Sequence, residues 1–372
     1  MNGQELIMQE LGLYKSRVIQ FTTMYTRLAG AFIRGDMPNY LIAFVTGQCN
    51  MSCSFCCEAA QKMRQKEELS PGQWANALKG ARALMHVTIT GGEPFMRDDL
   101  DELVIAIAET SGVPDISINT NGYCTEKILG VVEKILTALS NINLTIAISL
   151  DGPSGIHDRL RNKKGASDAA CKTIAGLNLL KGNFPNLRIR IQSLVLQENA
   201  DILEKFLDET TGWPVEFHEI IFPRDVNNGS KPIQSLVDNY RKLAEKQLTK
   251  DRKTNTTYLK GNIFRVLYKN VLRKLDGDYY NNPCLAGGRL VEVFPDGTVV
   301  GCEMSKVKDK AVIGFIGDSE KRLVDICRSG KADRFRKEIA LRCSCTFECA
   351  QACNIVFNVK NWTELLKIKE DK

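Results

Sequence analysis

The chain has 372 residues, 44% hydrophobic and 25% charged, with a formal net charge of +6. That composition is ordinary for a folded protein with one or two sizeable cores, and it excludes a low-complexity or fibrous chain. The mild positive balance gives no reason to expect nucleic acid as a partner. No run of about 18 apolar residues occurs, and Glu5 and Glu10 break any apolar signal core, so neither a membrane span nor secretion is expected.

Residues 1–38 precede the first strand. Within them Val18, Phe21, Met24, Tyr25, Leu28 and Phe32 recur at near-helical spacing, which predicts an amphipathic helical segment. It either packs on the domain that follows or, with Lys15, Arg17, Arg27 and Arg34 beside it, makes peripheral contact with a membrane or a partner. From Tyr40 the pattern alternates. Strands are predicted at 40–46, 86–90, 115–119, 143–149, 187–196 and 215–222, with helices at 70–84, 98–110, 125–139, 167–181 and 199–210. Ser70-Pro71-Gly72-Gln73 opens the first helix as a capping box with proline at its first position. Six βα units imply an α/β fold with a parallel sheet. Residues 226–283 form a helical connector rich in Lys and Arg, read as the solvated faces of two helices or as a rim that attracts an acidic substrate. Residues 284–353 change character, to short strands, turns and cysteines, with a hairpin over Val291–Cys302 that turns at Asp296-Gly297; a tail, 354–372, follows.

Of the 13 cysteines, all but Cys124 and Cys171 gather in two stretches, Cys49–Cys57 and Cys284–Cys353, whereas the three histidines are scattered. In a chain expected to be cytoplasmic, clustered thiols read as metal sites rather than disulfides. Cys49, Cys53 and Cys56 stand as C-x3-C-x2-C directly after the strand at 40–46. Three thiolates can hold three irons of a [4Fe–4S] cube that normally takes four cysteines, which leaves one iron open to a ligand from outside the protein.

This spacing resembles the signature of the radical S-adenosylmethionine (SAM) enzymes. The likeness extends to Thr90-Gly91-Gly92-Glu93-Pro94, Asn119-Thr120-Asn121-Gly122 and Ser149-Leu150-Asp151-Gly152-Pro153, and covers about residues 39–225. It implies a partial (β/α)6 TIM-like barrel with its chemistry at the C-terminal strand ends. It also implies reductive cleavage of SAM to methionine and a 5′-deoxyadenosyl radical, which abstracts hydrogen from a substrate. By the same resemblance Cys49, Cys53 and Cys56 are the cluster ligands and Phe55 shields the cluster and touches adenine. Gly91 and Gly92 let the backbone approach SAM, Glu93 lies near the methionine amine, and Pro94 stiffens the exit. Asn119, Asn121, Ser149 and Asp151 are candidates for the SAM ribose or carboxylate, and Arg161 for the carboxylate. A one-electron reductant such as flavodoxin or ferredoxin is implied as partner.

Cys284, Gly297 and Cys302, followed by Cys343, Cys345, Cys349 and Cys353, resemble the SPASM or twitch-like module that carries auxiliary iron–sulfur clusters. The compact C-x-C-x3-C-x3-C group departs from the usual spacing, and the six cysteines are too few to close two cubes. One or two auxiliary clusters are therefore expected, with a structural zinc site as the alternative. Three functions follow. The first is a SPASM-type enzyme acting on a peptide or protein by cross-linking, epimerisation or oxidation. The second is a radical SAM enzyme acting on a sugar, nucleotide or lipid-linked small molecule. The third is a non-enzymatic iron–sulfur or zinc protein. Residues 1–38 look short for a peptide-binding leader domain, which weighs against the first.

Overall fold

A computed structural model of the chain describes residues 30, 37–56, 67–223, 233–250, 258–277, 283–304, 311–317, 321–342 and 345–365. The amphipathic segment predicted before the first strand lies almost wholly outside the described residues, as do Cys57, Cys343 and the end of the tail.

Six strands form at the predicted places: β1 Tyr40–Thr46, β2 His86–Gly91, β3 Asp115–Thr120, β4 Asn143–Ser149, β5 Leu187–Leu194 and β6 Phe217–Ile221. They pair in parallel in the order β6-β5-β4-β3-β2-β1. Period-two alternation sorts their side chains. Ile116 and Ile118 on β3, and Ile189 and Ile191 on β5, are fully buried in the apolar core. Ser117, Asn119, Arg190 and Gln192 stand between them and point to the other face, which is the interior of the partial barrel.

The intervening helices are α1 Pro71–Leu78, α2 Leu100–Ser111, α3 Thr125–Ala138, α4 Ser154–Arg161, α5 Ala166–Lys181 and α6 Ala200–Thr210. The capping box of α1 is present: Gln73 N donates to Ser70 Oγ at 3.3 Å and Ser70 N donates to Gln73 Oε1 at 2.9 Å. α1 stops short of the predicted 84 because the chain turns at Lys79 and Gly80. α4 has no counterpart in the sequence reading. Its Ser-Gly-Ile-His-Asp-Arg-Leu-Arg run holds two apolar residues, Ile156 and Leu160, too few to register as a periodic face. Tertiary packing makes it a helix: those two side chains form a small cluster with Leu196, against which Phe55 and Leu194 pack.

α7 Gln234–Lys250 and α8 Tyr258–Leu275 are the basic helices. Four of their cations are paired with acids: Arg241 with Asp276, Lys242 with Glu204, Lys246 with Asp208 and Lys269 with Glu364. That arrangement fits the solvated-face reading better than an acidic-substrate rim. The hairpin predicted in the C-terminal region is β7 Leu290–Val293 and β8 Thr298–Val300, antiparallel, with Thr298 N donating to Asp296 Oδ1 at 3.0 Å in its turn. β9 Val312–Phe315 adds to β8. β7 also pairs in parallel with β1, Tyr40 opposite Leu290 through Ala43 opposite Val293, so one nine-stranded sheet runs through both cysteine regions. α9 Leu323–Cys327, α10 Gly330–Arg342, α11 Glu348–Val356 and α12 Trp362–Leu365 complete the chain, with Cys327 fully buried. Among the described residues no helix is long and apolar enough to cross a membrane.

Candidate active site

β1 ends at Thr46, and the loop that carries Cys49, Cys53 and Cys56 starts there. Four sets of contacts fix it. Beneath its start, Glu68 accepts from Thr46 Oγ1 and, at 3.2 Å, from Gly47 N. Arg97, buried, donates to Glu68 Oε2 at 3.2 Å and to Val45 O at 2.9 Å, while Asp99 grips its other edge at 2.8 and 2.7 Å. Neither Glu68 nor Arg97 was singled out from the sequence, because each acts on a loop more than 20 residues away and belongs to no local motif.

The second anchor is the Gly-Gly-Glu segment. Gly92 N donates to Thr46 O at 2.9 Å and Glu93 N to Gln48 O at 2.8 Å. Gly91 has φ +141°, and a Cβ there would lie 2.2 Å from Thr46 O; a Cβ on Gly92 would lie 2.1 Å from Gln48 O. These glycines allow a close approach to the cysteine loop's own backbone. Gly92→Ala must push two backbone segments apart. It is expected to cost about 1–3 kcal/mol of stability, read from urea unfolding, and to lower the iron taken up on reconstitution.

The third anchor is Asn121. Its Nδ2 donates to Asn50 Oδ1 at 2.7 Å, and Asn50 Nδ2 donates to Cys124 Sγ at 3.4 Å. The fourth is the C-terminal end of α4. Ser54 N donates to Leu160 O at 3.0 Å, Asn162 Nδ2 to Ser52 Oγ at 3.0 Å, and Phe55 joins the Ile156–Leu160–Leu196 cluster. The Arg161 guanidinium lies 5.0 Å from the Phe55 ring centroid, and its Nη1 reaches Cys53 Sγ at 3.9 Å.

Glu93 is 2% exposed at the centre of this assembly. Its Oε1 accepts from Thr120 Oγ1 at 2.8 Å and Phe95 N at 3.3 Å, and its Oε2 accepts from Asn121 N at 2.7 Å. Burial pushes its pKa up to about 7, although those three donors and Arg161 pull the other way. Pro94 follows at once as the first residue of a 3-10 turn, Pro94–Met96, that Glu93 caps.

Asp151 carries a further set of contacts. It is fully buried and both oxygens are occupied: Oδ2 accepts from Arg161 Nε at 2.8 Å and Oδ1 from Leu194 N at 2.9 Å. Its backbone N donates to His157 Nδ1 at 2.9 Å and its carbonyl accepts from Asn199 Nδ2 at 2.9 Å. It anchors Arg161. His157 is held neutral: burial drives its pKa down to about 4, against the pull of Asp151. Burial also works against the charge on Arg161, but Asp151 and then Cys53 outweigh it and hold the guanidinium above its usual range. Arg161 is thus tied to the cluster loop through Cys53 and Phe55. Ser149 stands at the end of β4, part-exposed and level with Gln192 on β5. Asn119 lies on the interior face of β3.

The second cysteine group sits at the other end of β1. Burial, and then the adjacent Cys349, push the pKa of the Tyr40 phenol up; Tyr40 is the first residue of that strand. Cys353 lies one turn from Cys349 on α11, and burial raises its thiol to about 12. Cys302 is raised by burial and then by Glu292, with Cys345 also near it. Cys284 is buried, and its neighbour Leu285 N donates to Asn354 Oδ1 on α11 at 2.9 Å. The fold thus brings Cys284, Cys302, Cys345, Cys349 and Cys353 around α11 and the start of β7. The six steps of β1 put that group about 20 Å from the first loop.

The donors of the first loop suit the group the sequence implies. Three thiols on one tied loop, none in a disulfide, with a guanidinium at 3.9 Å from Cys53, make a soft, charge-compensated set of the kind that binds iron–sulfur clusters. Among the described residues no three His, Cys, Asp or Glu side chains converge as ligands of a single ion. A cube spreads its thiolates over separate irons. Glu93, buried and rich in donors, offers a carboxylate that a cationic amine would satisfy.

Comparison with known proteins agrees. Residues 44–209 match the Radical SAM superfamily. The chain is 28% identical over 184 residues to the sporulation killing factor maturation protein SkfB of Bacillus subtilis, a match that takes in 48% of this chain and 42% of SkfB. It is 25% identical over 266 residues to a probable GTP 3′,8-cyclase of Metallosphaera sedula, covering 69% of this chain and 78% of that one. Among solved structures, native anSMEcpe with bound AdoMet superposes with a TM-score of 0.57 at 16% identity, over 88% of this chain and 95% of that one, which is a likeness of fold. The cysteine loop, the Gly-Gly-Glu segment and the strand ends that hold them thus lie within a partial barrel whose residues 44–209 are a radical SAM superfamily domain.

Proposed function

We propose that the chain is a radical SAM enzyme acting on a peptide or protein, with the Cys49–Cys56 loop as its cluster site and one or two auxiliary clusters in the C-terminal cysteine region. The observation that carries this is the four-sided anchoring of the three-cysteine loop beside a buried Glu93. When bound, the [4Fe–4S] cluster and SAM supply a one-electron cleavage that yields methionine and a hydrogen-abstracting 5′-deoxyadenosyl radical. The chain's own residues place and shelter that chemistry. Cys49, Cys53 and Cys56 hold three irons. Arg161 balances thiolate charge at Cys53, and Phe55 closes the loop against water. Glu93 receives the methionine ammonium, Ser149 and Asn121 supply polar contacts at neighbouring strand ends, and Asp151 keeps Arg161 in place.

The name of the SkfB relative, a maturation protein, supports a peptide substrate. The GTP cyclase match supports a nucleotide instead. Charge favours the first. On the interior face Arg190 is paired with Glu219 at 3.5 Å and His86 with Asp115 at 2.6 Å. Arg188 is turned to the carbonyls of Pro185 and Leu187, so these three described cations of the β2 and β5 rows are already engaged and favour no polyphosphate.

Anaerobic reconstitution followed by iron and sulfide analysis, beside 5′-deoxyadenosine formed from SAM with dithionite, tests the proposal. About 8 iron per chain with SAM cleavage is expected for one auxiliary cube, and about 12 for two. About 4 iron together with zinc would remove the auxiliary clusters. A fully loaded protein that never cleaves SAM, with or without added peptide, would leave the electron-carrier function.

A further inference from the structure

One surface of the molecule touches the cysteine loop directly. Ser52 and Ser54, which flank Cys53, are both exposed. The end of α4 and the turn after it hold them: Ser54 N donates to Leu160 O at 3.0 Å, and Asn162 Nδ2 to Ser52 Oγ at 3.0 Å. Asn162 makes that turn with φ +49°, in the left-handed region. Three cations flank these contacts. Arg159 and Lys164 are exposed, and Lys163, half-buried, has its Nζ 4.8 Å from the Tyr123 ring centroid. Among the described residues none of the three is in an ion pair, in contrast to the four paired cations of α7 and α8. The neighbouring acid, Asp158, is turned inward, where it accepts from Gly165 N at 2.6 Å and Ser167 N at 2.9 Å. With Arg161 paired to Asp151, Arg159, Lys163 and Lys164 stand against one exposed acid, Asp168, over residues 159–168. The exposed charge beside the cysteine loop is therefore positive.

We propose that the end of α4 and its following turn, Arg159 to Lys164, together with Ser52 and Ser54, form the docking surface for an acidic one-electron donor protein. The donor then reduces the cluster at this loop directly, and not by way of the C-terminal cysteine group. One electron leaves the donor and one enters the [4Fe–4S] cluster; no proton, bond or group moves. Each SAM cleavage consumes an electron that the chain must obtain from outside. The donor has to come close to the cluster and leave again, and encounters of that kind use small surfaces steered by charge. Cys53 is one residue from the surface on both sides here, and the cations around it complement a negative partner. A lipid surface fits less well, because an amphipathic membrane contact needs an apolar face. The large apolar residues exposed among the described ones are Leu179, Ile202, Ile233, Phe315 and Val359, and none belongs to this surface. The docking surface rests on the radical-enzyme function and specifies where its electron-donating partner binds.

The test uses the anaerobically reconstituted full chain, with an acidic flavodoxin and phosphatidylserine vesicles as separate probes. Flavodoxin binding is titrated at low and high salt, and 5′-deoxyadenosine is measured with reduced flavodoxin or with dithionite. Flavodoxin should bind, and salt should weaken it because the charges are exposed. Lys163→Glu/Lys164→Glu should weaken binding about tenfold at low salt and slow flavodoxin-driven cleavage to match, chiefly through slower association. Dithionite needs no docking, so cleavage driven by it should stay at the wild-type rate. Arg273→Glu/Lys274→Glu on α8, which packs against α7 and α11, makes the same change in net charge on another element. It should leave flavodoxin binding within about twofold of wild type, because charges beyond a Debye length are screened. Equal flavodoxin binding by wild type and Lys163→Glu/Lys164→Glu overturns the docking surface. So does an equal loss in the two double variants, no flavodoxin binding at all, or vesicle binding through Lys163 and Lys164 without flavodoxin binding. Docking does not depend on SAM cleavage. Charge-dependent flavodoxin binding with no 5′-deoxyadenosine from either reductant would sink the radical-enzyme function instead.

Discussion

Replacing Cys49, Cys53 and Cys56 together by alanine is expected to remove about 4 iron per chain and to reduce 5′-deoxyadenosine to background. The fold should be unchanged by far-UV circular dichroism. The loop's position does not depend on its thiols. Backbone bonds from Gly92 and Glu93, the Asn121–Asn50 pair, the Ser52 and Ser54 contacts to α4, and the Phe55 cluster all survive the change. Arg161, which approaches Cys53 Sγ at 3.9 Å, keeps its bond to Asp151. Iron bound in the C-terminal region should remain, because that cysteine group is built on α11 and β7 and not on this loop. Iron analysis on the triple variant checks both parts. Retention of all the iron would show that the three cysteines are not the cluster ligands.

Glu93→Ala should be nearly as damaging, for two separable reasons. The substitution strips acceptors from Thr120 Oγ1, Phe95 N and Asn121 N in a buried site. Each stranded donor costs about 1–3 kcal/mol. It also removes the carboxylate proposed to meet the methionine ammonium, for which about a 100-fold loss of SAM cleavage is expected. The pH dependence separates the two. With its pKa raised from 4.5 to about 7, native Glu93 keeps a proton that the unfolded chain has already lost. Stability through this group is therefore highest below about pH 4.5, falls as pH rises toward 7, and levels off above it, a total of about 3 kcal/mol. In E93Q that slope should vanish, as urea unfolding at pH 5 and pH 7.5 would show. SAM binding has the opposite sign. A cationic amine favours the ionised carboxylate, so affinity should rise with pH up to about 7 and then flatten, and E93Q should lose that rise.

Both predictions rest on residues whose motifs are visible in the chain, yet the motifs differ in how much they disclosed. The cysteine spacing and the strand pattern were local and periodic. A period of two with β-branched residues is enforced by the pleat itself, so all six barrel strands could be placed from the sequence, with ends off by at most two residues. Glu93 was legible as a motif residue. Its three bonds to β3 and the 3-10 turn were not, because hydrogen-bond partners 27 and 28 residues away leave no periodic trace. Asp151 shows the same limit. Its motif gave no sign of its full burial or of its hold on Arg161 and the Leu194 N–H.

The sequence by itself determined the parallel α/β barrel, the three-cysteine loop at the end of its first strand and the hairpin in the C-terminal region. Each is encoded within about ten consecutive residues by spacing, alternation or turn chemistry. Tertiary structure alone decided the rest. It made α4 a helix, because two apolar residues suffice once Phe55 and Leu196 are there to receive them. It turned Gly91 and Gly92 toward the cysteine loop, because the carbonyls of Thr46 and Gln48 fill the space a Cβ would take. It joined β7 to β1, so that one continuous sheet leads from one cysteine group to the other. Strand pairing between residues 250 positions apart depends on which edge is left unpaired after the barrel has formed, and that is a property of the folded sheet, not of either segment.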